Sequence, residues 1–196
     1  MRSVKEKLGK SAKNVFNIHK DEIEDIILFG SFMKGKEKPK DIDLLIIFKN
    51  KVNKQIESEL KKDIALPEAD INSTTQRELE GEGFIAKEGL YLEGFSLINS
   101  RALSQQMGFT SVAFIKYDLQ NTKGSKRIRF YYALQGRNKA TGFLKEVRAK
   151  RFSESVIICD YNIIERIKPF FEQWDIKYNI IPALIPKRLR PILLSD

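Results

Sequence analysis

The chain has 196 residues, of which 42% are hydrophobic and 31% charged, and its formal net charge is +9. This composition is typical of a soluble globular protein with one domain or two small ones. Its longest apolar runs, such as residues 44–48, are far shorter than the roughly 20 residues of a membrane-spanning helix. The N-terminus also lacks the apolar core of a signal peptide. We therefore expect a cytoplasmic protein with no membrane partner.

A single cysteine and a single histidine exclude several kinds of site. Cys159 has no partner for an intramolecular disulfide, and its place after an apolar run indicates a buried structural thiol. His19 extends an apolar stripe at helical spacing, which favours packing or capping over metal binding. Serine-type and cysteine-type triads are also disfavoured, so carboxylate and metal chemistry remains.

The first half of the chain is predicted to be an α/β domain. Apolar residues at helical spacing indicate an amphipathic helix over residues 3–20. The elements expected after it are a strand at 25–29, a turn with a short helical segment at 30–40, a strand at 41–48, a helix at 53–64 and a strand at 69–75.

The second half is predicted to mix strands and helices. The expected strands are 90–98, 112–117, 143–147, 156–159 and 177–184, with a helix at 126–135. A further helix at 163–174 has one apolar face, which places Trp174 in the core, and Pro169 should bend it. Asn162 and Glu165 have the spacing of a capping pair at its start.

Charge divides the chain unevenly. Residues 1–83 carry 16 Lys and Arg against 16 Asp and Glu, whereas residues 84–196 carry 19 against 10, so the whole net charge lies in the second part. The glycines of residues 80–83 make that segment the most plausible hinge. We therefore expect a domain at 1–83 and a second, basic α+β domain at 84–196.

Two acids stand at the start of the strand predicted at 41–48. Because side chains alternate along a strand, Asp41 and Asp43 share one face, with Cα atoms roughly 6.6 Å apart. That spacing suits two divalent ions about 3.5 to 4 Å apart. Paired carboxylates repel each other without a counter-ion, and Mg²⁺ prefers oxygen ligands and shares them with phosphates.

A Gly-Ser pair ends the preceding strand. Glycine lets the backbone approach a bulky anion, and the next N–H and hydroxyl can hold phosphate oxygens, so Gly30 and Ser31 are a candidate phosphate cradle. Lys34 and Lys36 follow in the same loop, either as triphosphate contacts or as solvated lysines. Taken separately, a Gly-Ser pair and an Asp-X-Asp pattern are each common in loops and at strand starts.

Together these residues resemble a known family. The pattern Phe29-Gly30-Ser31, nine residues, then Asp41-Ile42-Asp43-Leu44 resembles the signature of nucleotidyltransferases of the DNA polymerase beta superfamily, and is most similar to small stand-alone archaeal and bacterial members. The resemblance covers about residues 26–72. It implies an α/β (α+β) palm with a mixed sheet, a two-metal Mg²⁺ site in which Mn²⁺ can substitute, and a nucleoside triphosphate such as ATP whose α-phosphate is attacked by a hydroxyl.

The resemblance also implies a third carboxylate on a later strand. Asp70 is our candidate, with Asp63 and Glu68 as the other positions. Asp41 and Asp43 would hold both metals, and Asp70 mainly the metal that activates the acceptor hydroxyl. Many relatives have serine where this chain has Lys40, which would contact a phosphate or point to water.

A basic segment bears on the acceptor. Residues 120–151 contain ten basic residues and one acid, Glu146, with aromatic residues among them. This pattern favours binding to RNA, with aromatic rings stacking on unpaired bases; the alternative is an aromatic core under a solvated charged surface. The candidate nucleic-acid-binding residues are Lys126, Arg127, Arg129, Arg137, Lys139, Arg148 and Arg151.

Three functions remain open from the sequence. The first is an enzyme that transfers a nucleoside monophosphate to a nucleic-acid hydroxyl, most plausibly on RNA. The second is an adenylyltransferase acting on a protein or small molecule, as in relatives that resemble toxin-antitoxin partners. The third is a catalytically inactive palm that binds nucleic acid.

Overall fold

The computed structural model describes residues 2–34, 41–81, 87–138 and 140–194. The chain forms two compact units, Met1–Met107 and Gly108–Asp196. In these ranges no helix is both long and apolar enough to cross a membrane. The sequence placed the border near residue 83, whereas the first unit continues to Met107 because β4 (Phe95–Ser96) pairs with β1 (Ile23–Phe29).

The first unit alternates helices and strands. Its remaining elements are α1 (Arg2–Ile18), β2 (Ile42–Phe48), α2 (Lys54–Ile64), β3 (Ala69–Thr75), α3 (Gln76–Glu80), α4 (Lys87–Glu93), β5 (Arg101–Ala102) and α5 (Leu103–Gln106). Asn53 caps α2, since its side chain accepts a hydrogen bond from the Gln55 N–H. Thr75 and Glu78 form a capping box at the start of α3.

The first unit is built on a mixed sheet, as the sequence predicted. In the described residues its strand order is β3-β2-β1-β4-β5, and β2 runs parallel to β3 but antiparallel to β1. Leu8, Ala12 and Val15 of α1 and Ile56, Leu60 and Ile64 of α2 pack on one face, against even-numbered residues of β2. Leu45 and Ile47 face the other side, with Leu79 of α3 and Leu90 of α4. Alternation thus places Asp43 on the α3–α4 side of the sheet.

One element of this unit was predicted wrongly. Residues 90–98 were expected to form a strand, but α4 occupies Lys87–Glu93, and only Phe95–Ser96 is extended. The apolar spacing was ambiguous because Leu90 packs against Ile27, Leu45 and Ile47 from a short helix. His19 lies just beyond the end of α1, and its Nε2 is 2.9 Å from Glu59 Oε2. This contact links the end of α1 to α2.

The second unit has a βαββαβ framework. Its elements are β6 (Phe109–Asp118), α6 (Gly124–Gln135), β7 (Gly136–Arg137), β8 (Ala140–Thr141), α7 (Phe143–Val147), β9 (Lys150–Ser153), β10 (Val156–Asp160), α8 (Ile164–Gln173), β11 (Lys177–Pro186) and α9 (Arg190–Leu194). The described strands form an antiparallel sheet in the order β11-β6-β10-β9, and β7 and β8 pair separately. This order is that of a split βαβ fold.

Helices α6 and α8 pack on one face of this sheet. The core joins Ala113, Ile115 and Tyr117 of β6 to Phe130 of α6 and Phe171 of α8. The rings of Tyr117 and Phe130 are 5.7 Å apart in an edge-on arrangement. Trp174 packs on the same core, with its ring centroid 5.7 Å from Phe130, as the sequence predicted. The burial of this aromatic cluster therefore helps to hold both helices against the sheet.

The structure corrects two of the predictions made for the second unit, and it confirms the buried cysteine. Residues 143–147 form a helix instead of a strand, because Leu144 and Val147 are buried together at a helical spacing of three. Asn162 does not cap α8, which is preceded by the 3-10 turn Tyr161–Ile163 without a side-chain cap. Cys159 is fully buried, and burial raises the pKa of its thiol to about 12, as befits a structural cysteine.

Candidate active site

The parallel pairing of β2 and β3 brings two of the predicted acids to the same level. Asp43 and Asp70 are direct register partners near the starts of these strands. The Ile42 N–H donates to the Glu68 carbonyl over 2.9 Å and fixes this register. Asp41 and Asp70 are exposed, and Asp43 is partly buried. The acids therefore lie at one end of the sheet, although Asp43 and Asp70 are 27 residues apart along the chain.

The electrostatics of this end are dominated by negative charge. Burial raises the pKa of the Asp43 carboxyl, and the neighbouring charges of Asp70, Asp41 and Glu93 raise that pKa further, whereas Lys34 lowers it. The neighbouring acids thus make the ionised form of the Asp43 carboxyl less favourable. A bound cation would reverse this cost.

Gly30 packs directly against the Asp43 carboxylate. The antiparallel register pairs Phe29 with Asp43, so the chain turns at Gly30 beside the acid and continues into the 3-10 turn Gly30–Phe32. The φ angle of Gly30 is +77°, and a Cβ atom built there would lie 2.8 Å from Asp43 Cγ and overlap its Oδ2. Both observations require glycine at this position.

Glu93 is a residue of this site that the sequence did not reveal. It is the last residue of α4, and its side chain is only 8% exposed. Its Oε1 accepts a hydrogen bond of 3.0 Å from the Gly30 N–H, and its Oε2 forms an ion pair with Lys34 Nζ at 2.9 Å. Glu93 therefore anchors both the Gly-Ser turn and a lysine predicted to contact phosphate. Because the segment looked like a strand, no spacing linked Glu93 to the motif.

We expect Glu93→Ala to lower the free energy of unfolding by about 1–3 kcal/mol, because the part-buried Gly30 N–H and the Lys34 ammonium lose their acceptor. Glu93→Gln keeps an amide oxygen for the Gly30 N–H, so its loss should be smaller. Urea unfolding measures both. Glu88→Ala, at an exposed position of the same helix, should change stability by no more than about 0.5 kcal/mol. Equal losses for the alanine and glutamine variants would contradict an anchoring role.

The other predicted residues fall into different places. Asp63 lies in α2, which packs on the opposite face of the sheet, and Glu68 precedes β3. Only Asp70 of the three candidates is level with Asp43. Lys36, Lys40 and Lys139 lie outside the described residues. In the ranges that are described, no three His, Cys, Asp or Glu side chains form a ready-made metal site.

The basic candidates lie on the surface of the second unit. Lys126, Arg127 and Arg129 are exposed on α6, and Arg137, Arg148 and Arg151 are exposed further along. The guanidinium of Arg137 lies 4.6 Å above the Tyr132 ring. The aromatic residues of this segment mostly face inward, since Phe130 is fully buried and Phe143 stacks on Phe170 at 4.1 Å. Of the two interpretations left open by the sequence, the aromatic core is the correct one for these two rings.

Comparison with known proteins agrees with the motif. Residues 10–89 match the family described as Polymerase beta, Nucleotidyltransferase. The match contains the Gly-Ser turn and all three predicted acids, and it ends four residues before Glu93. No curated protein matches the chain. The mixed sheet, the paired acids and this match together show that residues 10–89 belong to the nucleotidyltransferases of the DNA polymerase beta superfamily.

Proposed function

We propose that this protein is a metal-dependent nucleotidyltransferase that transfers a nucleoside monophosphate from a nucleoside triphosphate to a hydroxyl of RNA. The observation that carries the proposal is the alignment of Asp43 with Asp70 across β2 and β3, with Gly30 packed against the Asp43 carboxylate. A phosphate-binding turn and two carboxylates at one sheet end are what phosphoryl transfer needs.

The acidic residues fit a divalent metal by their chemistry. Carboxylate oxygens are ligands that Mg²⁺ and Mn²⁺ accept, and the raised pKa of Asp43 marks a site where added positive charge is favourable. Asp41, Asp43 and Asp70 are the residues assigned to the two ions. The exposed side chains of Asp41 and Asp70 can turn toward an ion without disturbing the core. When bound, the ions lower the pKa of an attacking hydroxyl and stabilise the charge on pyrophosphate.

The chain's own groups are assigned to binding and orientation of the nucleotide. The backbone N–H groups and hydroxyl of the Gly30-Ser31 turn would donate to phosphate oxygens. Lys34 adds positive charge on the same side, and Lys36 and Lys40 are further candidates from the sequence. Because Lys34 is paired with Glu93, a triphosphate would share or replace that carboxylate as the lysine's partner.

The second unit supports RNA as the acceptor. It carries 17 Lys and Arg against eight Asp and Glu, so the whole net charge of +9 lies in it. One sign of charge at this density attracts polyanions and speeds their association. The exposed residues Lys126, Arg127, Arg129, Arg137, Arg148 and Arg151 are the proposed phosphate contacts, with Lys139 added from the sequence.

Transfer of α-labelled ATP, GTP, CTP and UTP tests this proposal. The wild-type protein is incubated with each nucleotide, Mg²⁺ or Mn²⁺, and separately with total RNA, single-stranded DNA and cell protein. Label in RNA that disappears on chelation of the metal is the expected result. Label in protein, or in a small molecule, would instead identify an adenylyltransferase of the second kind. Absence of label from every acceptor would contradict catalysis and favour an inactive palm.

A further inference from the structure

The second-unit sheet has two different faces. Residues of β6 alternate between them, so Ala113, Ile115 and Tyr117 meet α6 and α8 while Phe114 and Lys116 point to the opposite side. Helix α9 contacts β9 and β10. Arg190 of α9 holds Asp160 with two hydrogen bonds, of 2.6 and 3.1 Å. The C-terminal helix is thereby fixed at the Asp160 end of β10.

Exposed apolar side chains lie farther along the sheet from Asp160. Ile158, Phe114 and Ile181 form one row, because Phe114 is the register partner of both isoleucines. Ile158 is buried, but Ile181 is 51% exposed. Phe152, on β9, is 54% exposed, and its ring meets the Phe114 ring edge-on at 5.1 Å.

A β-bulge places Phe152 in this position. The pairing of β9 with β10 shifts between Ile157, which faces Arg151, and Val156, which faces Ser153, so Phe152 is the extra, unpaired residue. Bulges re-aim side chains and often lie at functional sites. Here the bulge presents the large aromatic ring of Phe152 to solvent. This exposure is unfavourable, because burial of the ring in a core would remove apolar surface from water.

Positive charge borders the two rings. Lys116 is exposed two residues beyond Phe114 on the same face, and Lys150 is the register partner of Ile158. Lys177, also exposed, lies opposite Asp118 at the far end of β6. Asp160 is paired with Arg190 of α9. Aromatic rings between lysines on an open sheet suit unpaired bases joined by phosphates.

We propose that Phe114 and Phe152, with Lys116 and Lys150, form a binding site for single-stranded RNA, which we name the open-face patch. This inference rests on the proposed function only in taking RNA as the acceptor, and it assigns base contacts to the sheet and not to the aromatics of α6. Two successive bases stack on Phe114 and Phe152, and the lysines contact the flanking phosphates. The whole net charge of the protein lies in this unit, which favours a polyanion over an apolar protein partner.

Binding without chemistry tests the open-face patch. Fluorescence anisotropy of a labelled 12-nucleotide oligouridylate is measured in low salt, without nucleoside triphosphate or divalent metal. Because stacking on an aromatic ring strengthens binding considerably, Phe152→Ala should raise Kd by roughly 5- to 150-fold. Phe152→Trp should bind about as tightly as the wild type. Phe152→Leu retains apolar area without a ring, so it should bind as weakly as Phe152→Ala. Lys116→Gln should reduce the slope of log K against log salt by about one.

Matched controls separate this site from its alternatives. Tyr132→Ala removes a ring that is 41% exposed on α6, and it should leave Kd within about twofold of wild type. A 12-base-pair RNA duplex should compete poorly, since paired bases cannot stack on the rings. Thermal unfolding of each variant verifies that it is folded. Tight binding by Phe152→Trp would show that the loss in Phe152→Ala comes from the missing ring and not from misfolding.

Several results would overturn the open-face patch. A Kd that is unchanged in Phe152→Ala would refute the patch, and a loss of binding in Tyr132→Ala would place the site on α6. If Phe152→Ala dissociated a dimer in sedimentation without changing Kd, the patch would be a contact between copies of the chain. Failure of the wild type to bind any oligonucleotide would refute the patch, whereas labelling of protein or a small molecule in the transfer assay would still show catalysis.

Discussion

Asp43→Asn is expected to abolish nucleotide transfer, with a loss of at least about 10³-fold in kcat. The substitution preserves the shape of the side chain but removes the charge that lies between Gly30, Asp41 and Asp70. Metal ions contribute several kcal/mol of transition-state stabilisation, and each 1.36 kcal/mol is worth a factor of ten in rate. Since Asp43 is assigned to both ions, losing its charge should weaken both.

The same substitution should make the metal-free protein more stable at neutral pH. Burial and neighbouring acids raise the pKa of Asp43 in the folded state above its ordinary value of 3.8. Between the unfolded and folded pKa values, the folded chain binds more protons than the unfolded chain, so stability falls as pH rises. Asparagine cannot ionise and escapes this loss. The variant should therefore exceed the wild type at pH 7, and the difference should shrink as pH falls toward 3.8.

Thermal unfolding with a chelator, from pH 4 to pH 8, measures the effect on stability, and the transfer assay measures activity. Asp21→Asn is a matched control, because Asp21 lies exposed in the turn between α1 and β1. It should change neither quantity appreciably. Added Mg²⁺ should stabilise the wild type more than Asp43→Asn, because a ligand that binds only the folded state raises apparent stability. An Asp43→Asn variant that stays active would remove Asp43 from the proposed metal site.

The local part of the site was predictable from the sequence, and its long-range part was not. Gly30, Asp41 and Asp43 lie within 14 residues, on two strands whose apolar alternation fixes the face of each acid. Asp70 could be placed beside Asp43 only through the family resemblance, because register between parallel strands depends on a crossover whose length the pattern does not fix. Glu93 joins the site through a short helix and a hydrogen bond to backbone, for which the chain carries no local signature.

In the second unit, the sequence did not show which aromatic side chains are buried and which are exposed. Phe130 and Phe143 lie among basic residues in sequence, and that composition suggested stacking on bases, whereas packing against α8 buries the first and stacks the second on Phe170. Phe152 directly follows the same basic segment, and no local pattern separates it from those aromatic residues. Only the bulge, a feature of strand pairing, distinguishes its exposed ring from the buried ones.

Gly30→Ala is the second substitution with a large expected effect. An alanine at φ +77° costs about 1–2 kcal/mol for its left-handed backbone. Its Cβ would also overlap the Asp43 carboxylate, so the acid must move away from the position that the proposed metals require. Displacement of a reacting group by about 1 Å can cost 10²-fold in rate. We expect a loss of about 1–3 kcal/mol in stability and at least about 10²-fold in transfer.

Gly9→Ala supplies the opposite case in the same unit. Gly9 lies inside α1, and a Cβ built there would meet no atom within 4 Å. The substitution should therefore raise the free energy of unfolding, by up to about 1 kcal/mol, because alanine is the better helix former. Its transfer activity should equal that of the wild type. Urea unfolding should therefore show changes of opposite sign in the free energy of unfolding for the two glycine-to-alanine variants.

A double-mutant cycle decides whether the cost of Gly30→Ala arises from Asp43 or from the backbone alone. In an Asp43→Ala background the carboxylate is absent, and only the left-handed φ angle still opposes alanine at position 30. The stability loss caused by Gly30→Ala should then fall by an interaction energy of about 0.5–3 kcal/mol, the range for residues in contact. Additive losses would mean that the strain is entirely in the backbone. In that case the drop in transfer could not be attributed to a displaced Asp43, and the close approach of turn and acid would no longer support the proposed nucleotide site.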